Sequence, residues 1–255
     1  MMEHEVLSDM LDLMSDAKVA KKVSRHVSTM RGVRGVPDGE IARIGTAAWV
    51  DQRPRLPEDE DALSALFSTA WEDGLLAIGL LAALVPEAPE EVLDVGRDWL
   101  TRVDDTATAD AMGWLVIGPA TLASGEDLSA LWRRSHDAHP VVRRAVVMTG
   151  LALLPEPITG PSAAPLRARL KTKRVRFVDT AQSDALAVLA DRFVRDTDPG
   201  VRKALRRVLG AWASADPDAA EAWCGGVRGG VAKMYREEVE RAARKTRRKQ
   251  SRSAE

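Results

Sequence analysis

Hydrophobic residues along this chain recur at spacings of three and four, which is the period of an amphipathic α-helix. No stretch shows the alternation of apolar and polar residues that a half-buried β-strand requires. The helical segments are Ile41–Val50, Ala62–Phe67, Leu75–Val85, Val92–Val103, Ala111–Ile117, Val141–Leu154, Ala185–Val194 and Val201–Ala213. The pattern therefore predicts an all-α fold.

Prolines separate these periodic segments. Pro37, Pro57, Pro140 and Pro199 are among those that lie where one segment ends and the next begins. Helices of about twelve to sixteen residues, joined by short turns, are typical of α-solenoids, in which each repeat packs on its neighbours. We therefore predict an α-solenoid of HEAT-like helical repeats, with one domain over residues 1–235 and a basic, disordered tail over residues 236–255.

The composition excludes several classes of protein. With 255 residues and 45% hydrophobic content, the chain is long enough to bury a core. The longest apolar stretch, Gly74–Val85, is too short to span a bilayer, and the first twenty residues are acidic, unlike a secretory signal. A single cysteine, Cys224, and four histidines favour neither a disulfide framework nor a zinc site. We expect a protein with no metal, no cofactor and no membrane contact.

Charge is divided unevenly along the chain. Residues 1–128 contain 11 Lys and Arg against 24 Asp and Glu, whereas residues 129–255 contain 26 against 14. This asymmetry favours a polyanionic partner for the second half, and most of its cations are arginines, whose guanidinium groups suit phosphate oxygens. Ion pairs between the halves, or solvated helix faces, would also explain it. A nucleic acid is nevertheless the partner that charge and architecture favour.

One local pattern occurs twice in the basic half. HDAHPVVRRAVVMTGLALL (His136–Leu154) and RDTDPGVRKALRRVLGAWA (Arg195–Ala213) share an aspartate, a proline, a valine, two basic residues and an alanine. In a HEAT-like repeat the proline would begin the second helix, and the basic pair would lie on its concave side. The candidate phosphate-binding residues are Arg143, Arg144, Arg202, Lys203, Arg206 and Arg207. The alternative is that these side chains pair with acidic residues of neighbouring repeats.

Two further segments are strongly basic. Leu166–Val178 holds six cations and no acidic residue, and it follows a breaker-rich stretch, so it fits a flexible arm or loop that contacts a phosphate backbone. The tail Arg236–Glu255 is expected to fray from a final helix into disorder. Non-specific electrostatics alone would explain the composition of this tail.

The segment DWLTRVDDTATADAMG, Asp98–Gly113, contains the most informative group of residues. Trp99 stands five residues before Asp104, at a junction between two predicted helices. A carboxylate in a groove is suited to a cationic substrate. Either Asp104 or Asp105 would alternatively cap the helix that begins near Thr106, since aspartate is a preferred cap residue. Trp99 would alternatively be a packing residue between repeats.

Four stretches together resemble the DNA alkylation repair family of AlkD-like HEAT-repeat DNA glycosylases. They are Ser28–Ile44, Trp71–Leu84, Trp99–Gly113 and Val201–Trp223. The resemblance implies a C-shaped solenoid that binds duplex DNA in its concave face. It further implies hydrolysis of the N-glycosidic bond of cationic alkylated purines, such as 3-methyladenine and 7-methylguanine, without insertion of the damaged base into a pocket.

The resemblance also implies roles for particular residues. Asp104 aligns with the catalytic aspartate of the family, and Arg144, or Arg143 in a shifted register, aligns with an arginine that binds phosphate. Trp99 is expected to contact DNA. The family pattern, however, has a tryptophan four residues before the aspartate, where this chain has Leu100, and a second aromatic where it has Arg207.

These departures leave two functions open. One is a DNA glycosylase, a hydrolase of alkylated duplex DNA. The other is a HEAT-repeat module that binds DNA or recognises damage without catalysis. A protein-protein scaffold is a third and weaker option. For either DNA function we expect a monomer in the cytoplasm, associated with the nucleoid when bound to DNA.

Overall fold

The computed structural model describes residues 2–134, 139–155, 178–227 and 230–254. Helices occupy most of them, and within these ranges the one β-type pairing is a single bridge between Gly32 and Ala70. The predicted all-α fold is confirmed, and successive helices pack on one another as in an α-solenoid. The C shape stays a prediction. The described residues divide into two compact units, which meet in the chain between Glu126 and Asp127.

The first unit is built around a helix that is buried on all sides. Its helices are α1 (His4–Leu13), α2 (Ala17–Val23), α3 (Asp38–Asp51), α4 (Glu60–Thr69), α5 (Trp71–Leu84), α6 (Pro89–Leu100), α7 (Thr106–Ala111) and α8 (Gly118–Ala123). Every residue of α5 except Ala82 is buried, and α1, α3, α4, α6 and α7 all pack on it. A helix that is apolar around its whole circumference belongs in such a central position.

A π-helical turn, Met112–Ile117, joins α7 to α8 and packs against α6. The contact is close because α6 presents Gly96, where a Cβ atom would lie 2.7 Å from Cδ1 of Ile117. The residues of the turn are all buried. Single π turns inside helices are rare and are frequent near functional sites. The π turn directly follows α7, which begins two residues after Asp104.

The second unit contains the two copies of the repeated pattern. Its helices are α9 (Leu128–Arg134), α10 (Pro140–Met148), a 3₁₀ turn (Thr149–Leu153), α11 (Ser183–Phe193), α12 (Pro199–Ala215), α13 (Pro217–Gly226) and α14 (Gly230–Ala254). Pro140 and Pro199 occupy the first turn of α10 and α12, as the pattern predicts. Proline is favoured there because the first amide groups of a helix have no partner inside it.

The long helix α14 extends the second unit to residue 254. The structure describes residues 236–254, for which the sequence predicts a disordered tail, as the continuation of this helix. Tyr235, Val239 and Ala243 are buried on one side of it, against α12 and α13. These residues are spaced by four, which places them on one helical face. Of the predicted basic arm, Leu166–Val178, all but Val178 lies outside the described residues.

Tyr235 is the only tyrosine of the chain, and its hydroxyl has no hydrogen-bond partner among the described residues. Burial raises the pKa of Tyr235 to about 12. We expect the phenolate absorbance of the folded protein to appear with a midpoint near pH 12, and near pH 10 in denaturant, where tyrosine has its ordinary pKa of about 10. A midpoint near pH 10 in a chain that circular dichroism shows to be folded would contradict the burial.

Substitution of Tyr235 separates its ring from its hydroxyl. Tyr235→Phe removes an unpaired buried polar group and should leave the free energy of unfolding equal or higher by about 1 kcal/mol. Tyr235→Ala should lower the free energy of unfolding by about 3–5 kcal/mol, because removal of the ring leaves a cavity where it packs against α12. The pKa shift also predicts that the wild type loses stability as pH rises from about 10 to 12, since the unfolded chain ionises first. Urea titrations should show that loss for the wild type and not for Tyr235→Phe.

Candidate functional site

Two adjacent carboxylates at the junction of α6 and α7 have different roles. Asp105 is the cap residue of α7, and its Oδ1 accepts hydrogen bonds from the backbone amides of Ala107 and Thr108, both at 2.9 Å. Its side chain is 1% exposed. The capping alternative therefore applies to Asp105 and not to Asp104.

Asp104 faces a segment that is distant in sequence. Its Oδ1 and Oδ2 accept from the hydroxyl of Thr29 at 3.0 and 2.9 Å, and Oδ2 also accepts from the amide of Met30 at 2.5 Å. The Asp104 side chain keeps 22% of its surface exposed. These donors hold the carboxylate in one orientation while part of it remains open to solvent.

The guanidinium group of Arg31 lies between the two carboxylates. Its Nη2 is 3.1 Å from Oδ2 of Asp105 and 3.6 Å from Oδ1 of Asp104. The same nitrogen donates to the hydroxyl of Thr108 at 2.9 Å, and Nη1 donates to the carbonyl of Phe67 at 3.0 Å. Arg31 is 12% exposed, so it brings a nearly buried positive charge to the carboxylate pair.

A glycine on α5 provides the space for this guanidinium. A Cβ atom at Gly74 would lie 2.2 Å from Nη1 of Arg31, which is closer than atoms approach without a bond. Nε of Arg31 is buried and has no hydrogen-bond partner among the described residues. The position of Arg31 therefore depends on the small residue beneath it as well as on its acceptors.

The segment that carries Thr29 and Arg31 is held by two acidic residues in the first turn of α5. Glu72, which is 0% exposed, accepts from the backbone amides of Arg34 and Gly35 at 3.0 and 2.7 Å. Asp73, also 0% exposed, accepts from Nε of Arg34 at 2.6 Å. Burial alone would lower the pKa of Arg34, but hydrogen bonds and charges of Asp73 and Asp12 outweigh it and raise that pKa. Arg34 is therefore a permanent cation in this cluster.

The aromatic residues near the site are packing residues. Trp99 is 0% exposed, and its ring stacks on Phe67 with centroids 4.3 Å apart. Its Nε1 donates to the hydroxyl of Ser64 at 3.0 Å. Trp99, which the sequence suggested as a DNA contact, thus has no exposed surface for a nucleotide. Leu100, at the family position of the tryptophan, is also buried, at 6% exposure.

Three of the candidate phosphate-binding arginines make contacts inside the second unit. Arg143 forms a two-point ion pair with Asp196, at 2.8 and 3.2 Å, and Nε of Arg202 donates to the Asp196 carbonyl at 2.6 Å. Arg144 is 7% exposed and donates to the carbonyl of Gly200 at 2.8 Å. Arg143 therefore pairs with an acidic residue of the neighbouring repeat, as the alternative to phosphate binding predicted.

The other candidates lie further along α12. Lys203 and Arg206 are exposed, and Arg207 is half-buried. Arg206 forms an ion pair with Glu238 of α14 at 3.2 Å. Asp104 and its partners belong to the first unit, whereas all six basic candidates belong to the second.

Sequence reasoning missed Thr29, Arg31 and Trp71 as parts of the carboxylate site. Trp71 donates from Nε1 to Oδ1 of Asp105 at 3.3 Å. The available signal was the start of α5, where Glu72 and Asp73 precede an uninterrupted apolar helix. Such charges at the end of a buried helix require partners from elsewhere in the chain.

Neither a metal site nor a membrane helix is found in the parts of the chain that the structure describes. No group of three or more His, Cys, Asp or Glu side chains there is arranged to hold a metal ion. No described helix combines the length and the apolar character needed to cross a bilayer.

The fold and the site define an all-α protein of packed helical repeats with a partly exposed carboxylate beside a nearly buried arginine. The family model described as DNA alkylation repair enzyme matches residues 7–246 of the chain. The protein belongs to this family, and DNA is the partner that membership implies. A comparison with curated proteins found no match.

A matched pair of substitutions tests the division of roles between the two aspartates. Asp105→Asn should lower the free energy of unfolding by about 3 kcal/mol, because it removes the charge that compensates Arg31. Asp104→Asn should lower it by less than about 1 kcal/mol, since its charge is partly solvated and further from Arg31. Urea denaturation of both variants measures the difference. Equal losses would contradict the assigned roles.

Proposed function

We propose that the protein is a DNA glycosylase that hydrolyses the N-glycosidic bond of cationic alkylated purines in duplex DNA. The observation that carries this proposal is the state of Asp104. Its carboxylate is partly exposed, is oriented by Thr29 and Met30, and is not used to cap α7. A carboxylate of this kind is available for chemistry, and membership of the DNA alkylation repair family supports its use on DNA.

The chemistry of alkylated purines explains why one carboxylate is sufficient. A purine alkylated at N3 or N7 already carries a positive charge and is a good leaving group. As its bond to C1′ breaks, the deoxyribose acquires oxocarbenium character. Asp104 would stabilise this cation electrostatically and orient the water that attacks C1′. The products are the free base and an abasic site, and the proton released by the water passes to solvent.

Arg31 is a positioning residue in this proposal. It lies 3.6 Å from Asp104 and 3.1 Å from Asp105, so it would act by fixing the carboxylate pair. The hydroxyl of Thr29 completes the orientation of Asp104. A rigid carboxylate needs little reorganisation when charge develops on the sugar, which is the condition for strong electrostatic stabilisation.

Contacts with the DNA backbone are assigned to the basic helices of the second unit. Lys203 and Arg206 of α12 are exposed, and Arg207 lies beside them. Arg143, Arg144 and Arg202 would contribute by shifting from their present contacts or by adding a phosphate to them. Affinity from such contacts depends strongly on salt, because phosphate binding releases counterions.

A non-catalytic DNA-binding module is the second candidate. The observation that favours it is the absence of an exposed aromatic surface at Trp99, which is 0% exposed and stacked on Phe67. Without that surface, attraction of a cationic base to an aromatic face is lost at this position. This module would bind alkylated DNA with the same salt dependence and would release no base.

The two candidates differ in base release from alkylated duplex DNA. We expect the wild type to release methylated purine and Asp104→Asn to release it at least about 100-fold more slowly, with DNA affinity nearly unchanged. Asp98→Asn is the matched control, because Asp98 lies on α6, pairs with Arg102 at its surface and is 67% exposed. It should release base at the wild-type rate.

Chromatography of the released base measures the reaction, and fluorescence anisotropy measures binding. Equal release by wild type and Asp104→Asn would remove Asp104 from the mechanism. Salt-sensitive binding with no release by the wild type would establish the binding module instead.

A further inference from the structure

One face of α14 carries a continuous row of cations. Their spacing follows intervals of three and four residues, so the side chains point to the same side of the helix. All are exposed and line one shallow surface depression, which is formed by Arg241, Arg244, Lys245, Arg248, Lys249 and Arg252. We refer to these six residues as the α14 basic face.

Other residues attach the helix to its unit by a different side. Tyr235, Val239 and Ala243 are buried against α12 and α13. Arg247, which is not part of the basic face, forms ion pairs with Asp218 and Glu221 of α13, at 2.8 and 2.7 Å. The apolar contacts and this double ion pair leave the α14 basic face directed away from its own unit.

The charge of this face is mostly uncompensated within the described chain. Arg241 pairs with Glu238 at 2.5 Å. Lys245, Arg248 and Arg252 form no ion pair with any residue that the structure describes. No aspartate or glutamate occurs between Arg241 and Ala254. Neighbouring cations that form no ion pair repel one another, and an external polyanion stabilises them.

The surface of α14 distinguishes between two kinds of polyanion. A helix that inserts into an anionic bilayer presents large apolar side chains beside its cations. Among the described side chains, the large hydrophobic residues that are exposed lie on other elements: Val6, Leu13, Met14, Met30, Val50 and Val188. The α14 basic face therefore suits a phosphate backbone rather than a lipid surface.

We propose that the α14 basic face is a binding site for the phosphate backbone of duplex DNA, independent of base sequence. The helix rises by about 17 Å from Arg241 to Arg252. Duplex DNA carries about ten phosphates along that length of its axis. The choice of DNA as the polyanion rests on the same family membership as the proposed function, but the contact requires no catalysis.

The test neutralises three members of this face for which the structure describes no ion pair, Lys245, Arg248 and Arg252. We expect the full-length variant Lys245→Gln, Arg248→Gln, Arg252→Gln to bind unmodified duplex DNA about tenfold more weakly at moderate salt. The slope of log Kd against log salt concentration should fall by about 2 to 3, which corresponds to the loss of three phosphate contacts. Fluorescence anisotropy over a series of salt concentrations measures both quantities.

The matched control removes the same number of positive charges from a different helix. Lys18, Lys21 and Lys22 of α2 are exposed in the first unit, and their replacement by Gln also removes three positive charges. This control should retain a salt slope within about 1 of the wild type. An equal fall in both variants would overturn the proposal, because net charge alone would then explain the binding. An unchanged slope in the α14 variant would overturn it directly.

Two further measurements examine the fold of the α14 variant and its affinity for lipid. Far-UV circular dichroism of the variant should match the wild type. Vesicles of phosphatidylserine and phosphatidylcholine test the lipid alternative, and a variant that loses vesicle binding but keeps its DNA salt slope would overturn the proposal.

The outcome is independent of glycosylase activity. In contrast to the α14 variant, Asp104→Asn should keep the full salt slope. If neither the wild type nor any variant releases base, the proposed glycosylase activity is refuted, and the result for the α14 basic face still stands.

Discussion

The nearly buried charge of Arg31 is the constraint on which the carboxylate site depends. A guanidinium removed from water requires negative partners, because an unpaired charge in a protein interior is very costly. Asp105, at 1% exposure, provides the nearest one at 3.1 Å. Asp105 is then committed to Arg31, Trp71 and the first turn of α7. This commitment leaves Asp104 as the member of the pair with a surface open to solvent.

The same principle extends outward to the start of α5. Glu72 and Asp73 are 0% exposed and are compensated by amides of residues 34–36 and by the Arg34 side chain. They therefore hold the chain segment that delivers Arg31 and Thr29 to the aspartates. The carboxylate site is thus supported by a network of buried charges, with Gly74 leaving the room for one of them.

Periodicity and proline positions were sufficient to predict the helical fold, because the formation and the end of a helix depend on residues that are close in sequence. They were also sufficient to place Asp104 and Asp105 at a helix junction. Which aspartate caps α7 was not predictable, since Arg31 lies 74 residues before Asp105 and the sequence does not show that they meet. The burial of Trp99 depends in the same way on its long-range contact with Phe67. The ion pair of Arg143 with Asp196, 53 residues away, was open in the sequence as one of two alternatives and became visible only in the structure.

The basic half of the chain shows why a count of charges does not locate a binding surface. Arg143, Arg202 and Arg247 each stabilise the second unit through contacts with acidic residues or carbonyl groups. These contacts already occupy part of the donors of each guanidinium group, so binding of phosphate by such a side chain competes with them. Side chains that are exposed and lack an internal partner bind a polyanion at lower cost. For this reason the location of exposed cations without an ion pair is a better guide to a polyanion-binding surface than the excess of arginine along the second half.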